Sequence, residues 1–182
     1  MHDLKIILRE EELMTLKNMI GKKLVKYEHE EFIFTDTVSN VVRFDMEDDV
    51  SFLYCFTEEH DYYGTAEDVA VLSIEKVKYP IVDNKHLISM PVDEDIKNIY
   101  VVNDSQRVKY PDEEYSVDVT RGIIIDFGEY QISFEKYSWM MEEIAVKRGY
   151  DLIERFTPVD DFVSRHSGAT DISYNREVVS LK

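Results

Sequence analysis

Cysteine is almost missing from this chain. Cys55 stands alone, which excludes an intramolecular disulfide and any multi-cysteine metal site. Glycine and proline are also scarce, with six and four residues, so long flexible linkers are not expected. The glycines never cluster, and no phosphate-cradling loop can be drawn. There is no His-Glu-x-x-His run, no serine flanked by glycines as in a nucleophile elbow, and no calcium-binding EF-hand loop. No apolar run approaches the roughly 20 residues of a membrane helix. Met1 to Lys5 begins no signal-like apolar stretch. The expectation is a soluble, cytoplasmic protein.

Positive charge is the other shortage. Lys and Arg number 21 against 38 Asp and Glu, a formal charge of −17. Residues 1–90 carry 19 acidic and 10 basic side chains, and residues 91–182 carry 19 and 11. The acidity therefore covers the whole surface and is not a detachable tail. Such a surface repels phosphate backbones, which argues against nucleic acid and leaves a basic protein as the complementary partner. No membrane partner is expected.

What remains is a β-rich pattern. The densest apolar stretch runs from Arg121 to Gly149 and holds the only tryptophan, Trp139. Within it, Gly122 to Phe127 and Tyr130 to Phe134 flank Gly128-Glu129 and read as a hairpin at the centre of a sheet. Upstream, Asp3 to Leu8 reads as a strand. Arg9 to Ile20 reads as a helix with Glu10, Glu11 and Glu12 in its first turn, where the helix dipole favours negative charge. Strands are expected at Leu24–Tyr27, Phe32–Thr35, Val41–Met46, Val50–Phe56 and Glu67–Val77. The last is apolar on both faces and reads as a central strand. Thr57 to Ala66 and Asn103 to Glu114 read as polar loops. Ile96–Val102 and Tyr115–Val119 read as further strands. Pro158 points to a helical turn after Thr157, and the tail from Ser164 reads as an edge strand or an unpaired end.

The fold class expected is α+β, mostly antiparallel β-sheet with few helices, with an internal two-fold repeat of β-rich halves. Val41–Asp45 with Val50–Phe52 matches Ile123–Phe127 with Ile132–Phe134, and Glu67–Val71 matches Glu142–Val146. Leu24–Tyr27 has its counterpart in Ile99–Val102. The half-units are 1–78 and 96–156, joined by 79–95, in a single domain over 1–182 with a tail at 164–182. The repeat bears on one local conflict. Ser138 as an N-cap makes Trp139 to Arg148 a helix, whereas the repeat makes Ile144–Lys147 a strand, and the strand is preferred.

Chemistry is thin. Adjacent Glu58, Glu59, His60 and Asp61 are metal-ligand types, but neighbours on a strand or loop point apart. Beside them stand Tyr62 and Tyr63, amphipathic anchors of the kind enriched at interfaces. Glu58, Glu59, Asp61, Tyr62 and Tyr63 are therefore the expected partner-binding residues. No catalytic residue, metal ligand or cofactor is assigned. The reading favoured is a non-enzymatic acidic binding protein of the inhibitor or immunity type, docking a basic partner. Two alternatives stand beside it. One is a metal-dependent hydrolase or metal-binding protein using Glu58, His60 and Asp61. The other is a structural homo-oligomer, for which a free β edge at the tail would be the sign. Cys55, between Tyr54 and Phe56, reads as a buried, unreactive thiol.

Overall fold

The computed structural model describes residues 2–30, 38–62, 64–77, 87–161 and 166–182. The strand expected at Phe32–Thr35, residues 79–86 of the expected joint and Tyr63 lie outside them.

Among the described residues, twelve strands and one α-helix follow in the order β1 (His2–Ile6), α1 (Glu10–Lys17), β2 (Lys23–Glu30), β3 (Val38–Ser39), β4 (Val41–Met46), β5 (Val50–Tyr62), β6 (Thr65–Lys76), β7 (Leu87–Asp95), β8 (Asn98–Lys109), β9 (Glu114–Asp126), β10 (Gln131–Lys136), β11 (Ile144–Gly149) and β12 (Asp171–Ser180). One sheet has the order β6-β5-β4-β2-β7. The other has the order β12-β8-β9-β10-β11-β3, with β1 added parallel to the first part of β9. The chain is thus mostly antiparallel β-sheet.

The two sheets are wired alike. In each, four strands pair in succession, β2-β4-β5-β6 and β8-β9-β10-β11, and a fifth returns to pair antiparallel with the first, β7 on β2 and β12 on β8. Drawing the halves at 1–78 and 96–156 leaves out both returning strands, because β7 lies inside the expected joint and β12 inside the expected tail.

β-branched and aromatic residues on the inner faces make one shared core. Phe44 and Leu53 from the first sheet meet Ile123, Ile125 and Phe134 from the second, with Leu16 and Met19 of the α1 region closing an end. Phe134 stands edge-on to Tyr27 and Phe44, at ring separations of 5.5 and 4.9 Å, and so ties the sheets together. Helix α1 begins where three glutamates follow Arg9. Glu12 turns back to accept the Arg9 backbone N–H at 2.7 Å and its guanidinium at 3.2 Å, satisfying donors the first turn would orphan.

The β9–β10 hairpin appears where the sequence placed it. Gly128 has φ of 93°, a left-handed conformation that glycine adopts without penalty. Gly122 is required for space, since a Cβ there would lie 2.3 Å from the Phe134 carbonyl oxygen. Next to it the β8–β9 register shifts between Val102 and Asn103, leaving Arg121 as an inserted residue.

Three expectations need correcting. Thr57 to Ala66 is not a loop but the end of the β5–β6 hairpin, paired as far as Tyr62 and Thr65. Asn103 to Lys109 is strand, its alternate polar residues Asp104 and Gln106 buried, and only Tyr110 to Glu113 turns. β6 is an edge strand, not a central one. Both its faces are nonetheless buried, because Ala70, Leu72 and Ile74 face the main core while Val69 and Val71 pack with Ile6, Val117, Val119 and Trp139. Ile144–Gly149 is strand β11, as the repeat required over the capping signal. Ser138 still makes a local turn, accepting the Met141 N–H at 3.1 Å.

Beneath β12 and the short turns at Leu152–Arg155 and Val159–Asp161 lies a buried charge network. Arg176 donates to both carboxylate oxygens of Asp104 at 2.6 and 2.7 Å and to the Thr157 carbonyl at 2.8 Å. Glu135 accepts the Thr157 N–H at 2.7 Å and Lys147 Nζ at 3.1 Å. Arg121, 2% exposed, sits between the two carboxylates, 3.8 Å from Asp104 and 3.6 Å from Glu135.

Candidate functional site

β4 pairs with β5 only as far as Tyr54. Beyond that point, among the described residues, no further strand joins them, and β5 and β6 form a two-stranded arm from Phe56 and Val71 out to Tyr62 and Thr65. Strand alternation decides where its side chains go. Glu58 and His60 share one face, with Glu58 Oε2 and His60 Nε2 3.2 Å apart. They line a groove of about 400 Å³ between the arm and β1, with Lys5, Arg9, Glu12 and Ser73. Asp61 points the other way, into a cleft of about 220 Å³ with His2, Asp3 and Tyr115. The structure therefore does not bring Glu58, His60 and Asp61 together as a metal set. Among the described residues no group of three or more His, Cys, Asp or Glu is placed to hold a metal ion.

Glu12 is the most elaborately held group in the groove. Burial works to raise its pKa, but hydrogen bonds from Arg9 and from Ser73, the latter at 2.5 Å, leave it below the ordinary carboxylate value. An ionised, saturated carboxylate of this kind anchors the start of α1 to β6.

The arm's outer half is acidic throughout. Glu58, Glu59, Asp61, Glu67 and Asp68 fall within it, and the sequence holds no lysine or arginine between Arg43 and Lys76. Glu59 and Asp68 are direct cross-strand partners, a like-charged pair that weakens the ribbon. Glu59, Asp61 and Asp68 are exposed. Of the expected partner-binding residues, the structure thus gathers Glu58, Glu59 and Asp61 on one ribbon, split between its faces. Tyr62 ends β5.

Sequence reasoning missed what holds the arm at its base. The connection between β10 and β11, residues 137–143, crosses the ribbon and seizes both its edges. On the β6 side, Ala70 N–H donates to the Trp139 carbonyl at 2.8 Å, and Ala70 C=O accepts Lys136 Nζ at 2.7 Å. On the β5 side, Glu142 accepts both the N–H and the hydroxyl of Thr57 at 2.9 Å. Thr57 and Ala70 are cross-strand partners, so the clasp closes on a single rung. Cys55, two rungs inward, has its Sγ 3.7 Å from the Met141 carbonyl, and burial pushes its thiol up to about 11. Tyr137, Met140 and Met141 of the clasp stand exposed beside the arm, while Trp139 is buried.

Lys136 is fully buried and lies 5.0 Å from the Trp139 ring centroid. Burial first, then the charge of Arg121, lower its pKa to about 7. The signal that could have found it is the alternation of β10, in which Ile132, Phe134 and Lys136 share the inward face.

Among the described residues no helix is long and apolar enough to cross a membrane. Searches of family models, curated proteins and solved structures gave no match to this chain.

Proposed function

We propose that this is a binding protein whose acidic β5–β6 arm docks a cationic surface of a protein partner. The observation that carries the reading is the composition of the arm: five carboxylates and no lysine or arginine on a two-stranded ribbon, two of them directly opposed. A fold that retains a like-charged rung gives up a few tenths of a kcal/mol. A basic partner would convert that repulsion into attraction and would be steered towards it. Exposed Tyr137, Met140 and Met141 at the foot of the arm supply adaptable apolar contact beside the charge. The reading belongs to the inhibitor or immunity class, with no nucleic-acid or membrane partner. The single, buried Cys55 suits a reducing compartment, and the cytoplasm is the location we propose.

The shared wiring of the two sheets supports a further part of the reading, that the chain is a duplicated five-strand unit. The halves are then β2 to β7 and β8 to β12, and the short β1 and α1 make the architecture α+β only in a marginal sense.

The test uses a lysine- and leucine-rich amphipathic peptide as the probe. Neutralising Glu58, Glu59, Glu67 and Asp68 together should weaken its binding at least about tenfold. Neutralising Asp93, Glu94, Asp95 and Glu129 removes the same charge elsewhere and should change it far less. Equal losses for the two variants would mean that bulk charge alone attracts the probe, and the arm would lose its assignment.

A further inference from the structure

A sheet edge exposes unpaired N–H and C=O groups, and folded proteins block such edges with short strands, proline, bulges, lysine or cover. Among the described residues the sheets have five edge strands; β1 is only five residues long, and three of the other four are blocked. β3 is two residues long. β7 carries Pro91, a register shift opposite it, and Asp93 in a left-handed conformation with φ of 56°. β6 is clasped at Ala70. The fourth, β12, has none of these devices. It pairs with β8 over ten consecutive residues without a register shift, contains no proline or lysine, and has no strand on its outer side among the described residues.

Its sequence, Asp171-Ile-Ser-Tyr-Asn-Arg-Glu-Val-Val-Ser180, is self-complementary. If β12 meets a second β12 antiparallel about a two-fold axis at Asn175, residue numbers of facing partners add to a constant. Ile172 then faces the partner's Val178, and Val178 faces the partner's Ile172. These two are the large apolar side chains that β12 leaves exposed, 38% and 42%. In the same register Tyr174 lies opposite the partner's Arg176, whose guanidinium stays on its own Asp104, and Asn175 faces the partner's Asn175. Ser173 faces the partner's Glu177. No like-charged pair arises, although the chain carries −17 and the strand itself holds only Asp171, Arg176 and Glu177.

We infer that β12 is an isologous dimerisation edge and that its occupant is β12 of a second copy of this chain, joined about Asn175 into one continuous sheet. This is independent of the docking role proposed for the arm. An edge-to-edge contact of ten residues is smaller than a standard interface of ~1,600 Å², so the dimer should be of micromolar strength. Because two acidic copies repel, added salt should tighten it, the reverse of its effect on a cationic partner.

The test is sedimentation of the full chain over a micromolar concentration series, with register-specific variants checked for native circular dichroism. I172K/V178K sets lysine against lysine and should weaken association by more than about a hundredfold. I172K/V178D sets lysine against aspartate and should restore it. Asn175→Cys places a thiol on the two-fold axis, at a spacing a disulfide can span, and should give a covalent dimer on mild oxidation where Ser173→Cys does not. A wild-type chain that stays monomeric at hundreds of micromolar overturns the inference. So does a dimer indifferent to I172K/V178K, or equal cross-linking by both cysteine variants.

Discussion

Replacing Lys136 by Met should change how the protein's stability responds to pH. The ammonium is enclosed between the sheets, held to one carbonyl and one indole face, so folding removes it from water. Its pKa falls from the ordinary 10.5 to about 7, first through burial and second through Arg121. Between those two values the unfolded chain holds a proton on this residue that the folded chain does not. Stability must therefore rise with pH across that window, and the residue's cost is greatest below pH 7. The whole shift corresponds to about 5 kcal/mol, of which about 3 kcal/mol is recovered between pH 5.5 and 9.5. Met fills a similar volume and does not titrate. Urea unfolding, followed by the fluorescence of Trp139 across that range, should show a wild-type curve that gains about 3 kcal/mol relative to Lys136→Met as pH rises. At pH 5.5 the variant should be the more stable protein. Parallel pH curves would refute the reasoning, since they would mean that Lys136 keeps its ordinary pKa and is hydrated in the folded state.

Four other outcomes follow from the same contacts. Asp104→Ala strips Arg176 of both its carboxylate contacts and leaves Arg121 buried with less compensation, so denaturant melts should show a loss of about 3–5 kcal/mol. Gly122→Ala drives a methyl into the Phe134 carbonyl and should cost about 3 kcal/mol or more, read as a fall in the urea midpoint at constant slope. Cys55 should resist a thiol reagent at pH 8 until denaturant is added, and rapid labelling of the native protein would contradict its burial and its raised pKa. Glu59→Lys puts opposite charges on the Glu59–Asp68 rung and should stabilise the fold by about 0.5 kcal/mol in low salt, the gain fading as salt is raised.

How much of this was legible in the sequence depends on how far away each residue's partner lies. The β9–β10 hairpin was readable because its evidence is local: two β-rich runs, a tight turn and a glycine able to take φ of 93°. The choice of strand over helix at Ile144 came from the expected repeat, which set Glu142–Val146 against Glu67–Val71. Asn103 to Lys109 reads as a loop because Asp104 and Gln106 are polar, but Asp104 is buried by Arg176, 72 residues away, and no local rule anticipates that contact. Thr57 to Ala66 fails for a related reason. A ribbon with one acidic face and one mixed face shows little hydrophobic alternation, and its pairing is fixed by the register inherited from Val50–Tyr54. Within the site, period-two alternation was enough to foresee that Glu58 and Asp61 diverge. It could not show that residues 137–143 clasp the Thr57–Ala70 rung, since backbone groups are the acceptors and donors on one side of that clasp and leave no mark in side-chain pattern. The tail was read as an edge strand or an unpaired end, and sequence alone could not choose, because the choice depends on β8 offering ten residues of backbone to pair with. The symmetry of β12 about Asn175 acquires meaning only when no further strand lies beside it among the described residues. Local propensity thus specifies which segments extend, while edge pairing, burial of charge and the clasp are set by partners that the fold brings in from tens of residues away.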